Sequence, residues 1–368
     1  MNLHLFNDEK VVNRTIAYFE EALPNKNKFI VLIPNKNYQL KYVTPFKNLY
    51  YLVYGSKEFW SEIGDIGKYK NVIIHFLDEV KAKFICNINH DNIIWVAWGA
   101  DLYNLFLERK GYVLYQDKSV RKYGYSIKRK LFYPLIKILD YGKFSTFKKA
   151  IQKINSFAGL EVDFSLLKRY YPKLVHLKYI YFFYYPIDHI LSNEIEIKSD
   201  KDIMVGNSGS LTANHEMVFS ILSQLENIQK HKIYCPLSYG NKKYINYVKF
   251  LGQNYFCDKF IPLINFLPLE KYNKILMGCN SFVYGNFRQE AVGNIVIALY
   301  LGKKVFLHKR NPLFDYYKSL GVKLFELSDL PNEVSSFLDK KDQLENKRIL
   351  WNYNNYNLLI KLIQIEFQ

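Results

Sequence analysis

Hydrophobic residues in this chain come in short, unbroken runs. Phe29-Ile30-Val31-Leu32-Ile33 ends at Pro34, and Leu49 to Tyr54 ends at Gly55. Val72 to Leu77 and Ile93 to Trp98 repeat the pattern. Such runs predict strands covered on both faces, as in parallel α/β sheets, because a strand with one wet face alternates. Phe59 to Tyr69, between them, is polar and reads as a helix. A second series starts at Ile203-Met204-Val205, a strand followed by the loop Gly206 to Ser210. Thr212 to Gln229 reads as a helix, with Met217, Val218, Ile221, Leu222, Leu225 and Ile228 on one face and Thr212 as its N-cap. Lys232 to Cys235, Phe282 to Tyr284 and Val305 to Leu307 read as strands. Val292 to Leu301 reads as a helix stopped at Gly302, and Leu350 to Phe367 as a helical tail.

At 368 residues the chain exceeds what one core usually fills. The polar break at Ser192 to Asp202 serves as a linker, which gives an N-terminal domain over 1–195, a C-terminal domain over 196–335 and a helical tail over 336–368. The fold class is α/β. No run of about 18 apolar residues is present, and Met1 to Lys10 lacks a secretory pattern, so the expected location is cytoplasmic. Cys86, Cys235, Cys257 and Cys279 are scattered and read as reduced, without a metal.

Charge narrows the partners. The formal net charge is +17, and residues 118–153 contribute +10 of it, with eleven Lys or Arg against Asp140. Leu131, Phe132, Leu135, Ile136 and Leu139 are interleaved there at helical spacing. The stretch reads as an interfacial helix for an anionic membrane, with a solvated basic face as the alternative. Nucleic acid is a rival partner, but no RNA- or DNA-binding motif supports it.

Gly206-Asn207-Ser208-Gly209-Ser210 joins a strand to a helix, where glycines and free helix N–H groups suit a phosphate. An ordinary turn is the alternative. The spacing matches neither the dinucleotide fingerprint, the nucleophile elbow nor the P-loop. His215-Glu216 lacks the second histidine of a zinc protease, which leaves His215 as a ligand contact or a cap. Arg288-Gln289 precedes a helix with Gly293 in its first turn, a second anion site. Asp200-Lys201-Asp202 precedes a strand, the wrong end for a metal-binding Asp-x-Asp. Asp101, at a strand's exit beside Gly99, is a candidate general base or a helix cap. His75, Asp78 and His90 are weaker candidates.

Taken in order, Trp98-Gly99-Ala100-Asp101-Leu102-Tyr103, Val205-Gly206-Asn207-Ser208-Gly209, His215, Pro236, Tyr239, Leu267-Pro268, Tyr272, Arg288-Gln289, Gly293-Asn294 and Asn311-Pro312 resemble glycosyltransferase family 56. These are the 4-acetamido-4,6-dideoxygalactosyltransferases. Glu290-Ala291-Val292 departs from the family's Gln-Gly-Ile/Leu. The resemblance implies a GT-B architecture, two Rossmann-like domains facing each other across a cleft. It implies a hexosyltransferase that moves 4-acetamido-4,6-dideoxygalactose (Fuc4NAc), or a related sugar, from a dTDP donor to a polyprenyl-diphosphate-linked oligosaccharide in surface polysaccharide synthesis, such as that of O-antigen. Gly206, Asn207, Ser208, Gly209, His215, Tyr239, Gln289, Gly293 and Asn294 would hold the donor. Arg288 would assist departure of the diphosphate without a metal or cofactor, and Asp101 would deprotonate the acceptor. Trp98, Gly99 and Tyr103 would lie on the acceptor side. Arg121, Lys122, Lys128, Arg129, Lys130, Leu131 and Phe132 would face the inner leaflet of the cytoplasmic membrane. A non-catalytic relative is the remaining alternative.

Overall fold

A computed structural model describes residues 1–116, 144–189 and 201–368. These divide into two compact units. The first is built from 1–110, 144–186 and 356–368, the second from 111–116, 187–189 and 201–355.

The first unit carries seven parallel strands: β1 (Asn2–Phe6), β2 (Asn27–Leu32), β3 (Leu49–Leu52), β4 (Asn71–His75), β5 (Ile93–Val96), β6 (Ser156–Gly159) and β7 (Lys178–Tyr181). Their order is β3-β2-β1-β4-β5-β6-β7. The four unbroken apolar runs became β2 to β5. The inner strand β1 has no such run, because Asn2 and His4 interrupt it. Both are buried and satisfied by neighbouring strands. Asn2 Nδ2 donates to Asn27 Oδ1 at 3.2 Å, and Asn71 Nδ2 donates to Asn2 Oδ1 at 2.8 Å. Asn92 Nδ2 extends this amide ladder to Asn71 Oδ1. The ladder also anchors the chain's end, since Asn2 and Asn71 each donate to the Phe367 carbonyl at 3.0 Å. Leu359, Ile363 and Phe367 complete the core there.

The second unit carries six parallel strands: β8 (Asp202–Val205), β9 (Ile233–Pro236), β10 (Phe260–Leu263), β11 (Cys279–Tyr284), β12 (Lys304–Leu307) and β13 (Phe325–Glu326). The order β10-β9-β8-β11-β12-β13 puts a topological reversal between β8 and β11.

Three helix expectations need correction. The tail is two helices, Lys340–Asn354 and Tyr356–Glu366, broken at Asn355, whose backbone is extended. Phe59 to Tyr69 is α-helical only to Ile63, because Gly64 turns the chain at φ 63°, and a separate 3₁₀ turn follows at Ile66–Lys68. The helix expected over 212–229 spans His215–Leu222. Its N-cap position is Asn214, left-handed at φ 50°, and not Thr212. Thr212 lies in a preceding 3₁₀ turn and spends its hydroxyl elsewhere.

Candidate functional site

The loops of the second unit that follow β8, β9 and β11 assemble one site. Gly206 leaves β8 at φ 68°, and its N–H donates to the Val283 carbonyl at 2.9 Å. Gly209 forms a bridge with Gly240. A Cβ on Gly240 would stand 2.3 Å from the Gly209 carbonyl oxygen, so only glycine permits this approach. The first loop is thereby fixed to the loop that carries Tyr239.

His215 opens the helix behind Gly206 and is fully buried. Its N–H donates to the Tyr244 hydroxyl at 3.1 Å, and its Nδ1 lies 3.3 Å from the same oxygen. Burial drives its pKa down to about 3, so the ring is neutral at physiological pH. Nε2 is buried, points at Gly206 and has no hydrogen-bond partner.

The loop after β11 supplies Arg288, buried beside Glu290 with Nη2 to Oε2 at 3.0 Å. Arg288 Nη1 donates to the Gln289 carbonyl at 3.2 Å, while Nε is buried and unpartnered. Glu290 Oε2 also accepts from Thr212 Oγ1 at 2.6 Å and from Asn286 Nδ2 at 2.8 Å. Asn214 Nδ2 donates to the Gly285 carbonyl at 2.7 Å. The loops after β8 and β11 are therefore one hydrogen-bonded structure. Ala291 enters the helix Val292–Tyr300 at φ 61°, a left-handed conformation that costs a non-glycine residue about 1–2 kcal/mol. Gly293 lies in that helix's first turn. Asn294 Nδ2 donates to the Tyr272 hydroxyl at 3.1 Å.

Beside these groups lies a cavity of about 320 Å³ lined by Asn207, Tyr239, Phe266, Leu267, Tyr272 and Asn294. Its aromatic and aliphatic walls suit a flat ring. The buried orphans on these loops are Asn207 Oδ1, Asn286 Oδ1 and Arg288 Nε, with His215 Nε2 behind Gly206. Buried polar atoms rarely lack partners, so so many around one loop pair mark a place where a polar ligand completes the set. A larger cavity, about 420 Å³, opens in the first unit among Asn92, Asn155, His176 and Lys178. It lies at the strands' N-terminal ends, opposite to the edge where such sheets bind ligands.

Sequence reading missed the parts played by Tyr244, Thr212, Asn286 and Glu290. Tyr244 meets His215 across 29 positions and Thr212 meets Glu290 across 78, while Asn286 reaches Glu290 only four residues on. The one local signal was the departure at Glu290-Ala291 from the family pattern.

The acceptor-side expectations fare differently. Asp101 is fully buried. Its carboxylate accepts from Trp95 Nε1 at 2.8 Å, Leu77 N at 2.9 Å and Trp98 N at 2.9 Å. Burial holds its pKa above the ordinary value despite those donors. Asp101, read as a candidate general base or a helix cap, has its carboxylate enclosed and ties the ends of β4 and β5 together. Tyr103 is also fully buried and donates to Asp163 at 2.7 Å. Gly99 turns the chain at φ 86° into a short helix, and Trp98, partly exposed, donates from Nε1 to the Tyr184 hydroxyl. His75 is enclosed between His4 and Tyr184. His90 faces the Tyr69 carbonyl, and Asp78 caps the helix Glu79–Asn87. Asp202 starts β8, where it accepts from Lys232 N at 3.0 Å. Arg121, Lys122, Lys128, Arg129, Lys130, Leu131 and Phe132 lie outside the described residues. No helix among the described residues is long and apolar enough to cross a membrane.

Two parallel-sheet units, with a candidate ligand site at the topological reversal of the second, match a GT-B glycosyltransferase fold. Solved structures agree. Sucrose-phosphate synthase from Thermosynechococcus elongatus matches with a TM-score of 0.64 at 10% identity, over 98% of this chain and 96% of that one. HepE of Anabaena, solved in complex with UDP, matches with a TM-score of 0.62 at 9% identity, over 99% and 98%. WaaG, a glycosyltransferase involved in lipopolysaccharide biosynthesis, matches with a TM-score of 0.57 at 10% identity, over 99% and 100%. Residues 80–356 match the sequence model of "4-alpha-L-fucosyltransferase glycosyl transferase group 56". The chain belongs to that family and is a nucleotide-sugar hexosyltransferase.

Proposed function

We propose that this enzyme transfers Fuc4NAc, or a closely related 4-amino-4,6-dideoxy sugar, from a dTDP donor to a polyprenyl-diphosphate-linked oligosaccharide in surface polysaccharide synthesis. The observation that carries the donor half is the set of buried orphans beside an aromatic-walled cavity in the second unit. In this reading the base and deoxyribose occupy the cavity between Tyr239, Phe266 and Tyr272. The diphosphate lies against the Gly206–Ser210 loop and the start of the helix Val292–Tyr300. His215, neutral, offers a hydrogen bond and no charge. Arg288 exchanges its contact with Glu290 for the leaving diphosphate, whose developing charge it stabilises as the bond to the sugar breaks. A bound metal is not needed in this scheme, and activity should survive EDTA. Abolition by chelator with rescue by Mn²⁺ would contradict that point.

A thermal-shift panel of dTDP, UDP, GDP and CMP tests the donor assignment, because a ligand that binds only the folded state raises its apparent stability. Selective stabilisation by dTDP is expected. Preference for another nucleotide, or none, would overturn it.

The acceptor's lipid anchor requires a membrane-bound enzyme, which we place on the inner face of the cytoplasmic membrane as a peripheral protein. The +10 charge of 118–153 supports this reading, at about 1 kcal/mol per basic residue near an anionic surface. Sedimentation with vesicles tests it: binding should require anionic lipid and weaken with salt. Equal binding to neutral vesicles would rule it out.

A further inference from the structure

Arg288, in the loop after β11, is only 8% exposed. A buried guanidinium needs a counter-charge, because water no longer shields it. Glu290 supplies one: its Oε2 lies 3.0 Å from Arg288 Nη2, and both side chains are nearly enclosed. The two charges cancel, so this pair offers an approaching anion no net attraction. The guanidinium is neutralised without being saturated, since its Nε stays buried and unpartnered. Arg288 therefore keeps a donor for a further acceptor while Glu290 holds its charge.

Glu290 does not depend on Arg288 for its hydrogen bonds. Its Oε2 also accepts from Thr212 Oγ1 at 2.6 Å and from Asn286 Nδ2 at 2.8 Å. Thr212 spends its one hydroxyl hydrogen on that bond. At the 2.7 Å contact between Ser210 Oγ and Thr212 Oγ1 the serine is therefore the donor. Ser210, at the end of the loop after β8, thus turns its proton toward Thr212 and Glu290. If Arg288 changes partner, the carboxylate stays fixed by Thr212 and Asn286 and is not left without donors. Both charges reach the neighbouring cavity. Burial raises the pKa of the cavity-lining Tyr239 phenol most, the Glu290 carboxylate raises it further, and Arg288 is among the groups that lower it.

We propose that Glu290 is a positioning residue that acts through Arg288: a fixed counter-ion that competes with the nucleoside diphosphate for the guanidinium and so weakens its binding. The inference rests on the placement of the donor's diphosphate at these loops, and not on the base, sugar or acceptor. Before transfer, the diphosphate must compete with a carboxylate for Arg288. As the bond from the anomeric carbon to the β-phosphate oxygen breaks, the electron pair goes to that oxygen. Its charge grows, and the competition turns toward the phosphate. An interaction that strengthens along the reaction raises turnover, where equal binding of ground and transition states does not. After transfer, Glu290 takes Arg288 back and helps the nucleoside diphosphate to leave.

Calorimetric titration of the full chain tests this, with dTDP, UDP and GDP as probes and thymidine, uridine and guanosine as their phosphate-free controls. The proteins compared are wild type, Glu290→Gln, Glu290→Asp, Arg288→Ala and the double variant Arg288→Ala with Glu290→Gln. Glutamine is isosteric and keeps an oxygen for Thr212 and Asn286, and a melting curve checks the fold. Glu290→Gln should bind the preferred diphosphate about tenfold more tightly, the low end for one charge-assisted hydrogen bond, and the nucleoside no better. Glu290→Asp keeps the charge and should stay within a few-fold of wild type. The gain should vanish in the Arg288→Ala background. In turnover, donor KM and the inhibition constant of the released diphosphate should fall together in Glu290→Gln. A purely structural Glu290 would give weaker binding in both single variants at 290. Equal or weaker diphosphate binding by Glu290→Gln, or a gain that persists without Arg288, would overturn the inference. Tightening for UDP or GDP in place of dTDP would uphold it and overturn the dTDP assignment. Absence of diphosphate binding by all of these proteins would overturn both.

Discussion

A Cβ on Gly206 would sit 2.9 Å from His215 Nε2. The absence of a side chain at Gly206 therefore leaves this nitrogen facing the loop that follows β8, where it has no protein partner. Gly206→Ala meets two penalties, that contact and a left-handed φ of 68°. The conformation alone costs about 1–2 kcal/mol. Chemical denaturation should show at least that loss, and nucleotide-induced stabilisation should shrink with it. Unchanged stability with unchanged nucleotide binding would mean that the loop is not constrained as described.

Arg288 is held by Glu290 and keeps one N–H buried without a partner. Arg288→Ala should remove a charge-assisted contact worth roughly 1.5–3 kcal/mol. Steady-state kinetics should show kcat/KM lowered by roughly one to two orders of magnitude. Wild-type turnover with unchanged donor affinity would remove Arg288 from the reaction.

Asp101→Asn separates a structural carboxylate from a catalytic one. Asp101 Oδ2 accepts two N–H groups, from Leu77 and Trp95, and Oδ1 accepts the Trp98 N–H. Asparagine keeps one acceptor oxygen and turns an NH₂ against the remaining donor. The expected cost is about 1–3 kcal/mol of stability, read by denaturation. Turnover by the folded fraction should change little. Unaltered stability with abolished turnover would restore Asp101 as the base.

These readings show what local pattern carries. The loops after β8 and β11 were legible as strand-to-helix connections because a glycine-bearing loop between an apolar strand and an apolar-faced helix is a local arrangement. Their coupling through Thr212 and Glu290 was not, nor was the strand Asn2–Phe6. His4 reads as an exposed position until its partners are known, and these are Asn27 and His75, 23 and 71 positions away. The enclosure of Asp101 was hidden for a related reason. A carboxylate at a strand's exit has the same sequence whether it faces solvent or three N–H groups.

Acid should destabilise both units before carboxylates titrate. His4 in the first and His215 in the second are buried and neutral, each with a pKa of about 3. The unfolded value is near 6.5, so the unfolded chain binds more protons between pH 6.5 and 3. Stability is therefore full above about pH 6.5 and is lost as pH falls below it, by about 1.4 kcal/mol per pH unit for each histidine. Urea unfolding at pH 7.5 and pH 5.5 measures this. Equal stability at both would show that these rings are charged or solvated in the folded protein.

We propose that the enzyme moves a 4-acetamido-4,6-dideoxy sugar from a dTDP ester to a lipid-linked acceptor. Mass spectrometry of the lipid product tests it most directly, with purified enzyme, dTDP-Fuc4NAc and a polyprenyl-diphosphate oligosaccharide. The account predicts an acceptor heavier by one Fuc4NAc residue, with an equivalent of dTDP released and neither signal from Arg288→Ala. An unmodified acceptor, alongside efficient transfer from a UDP- or GDP-linked sugar, would contradict it.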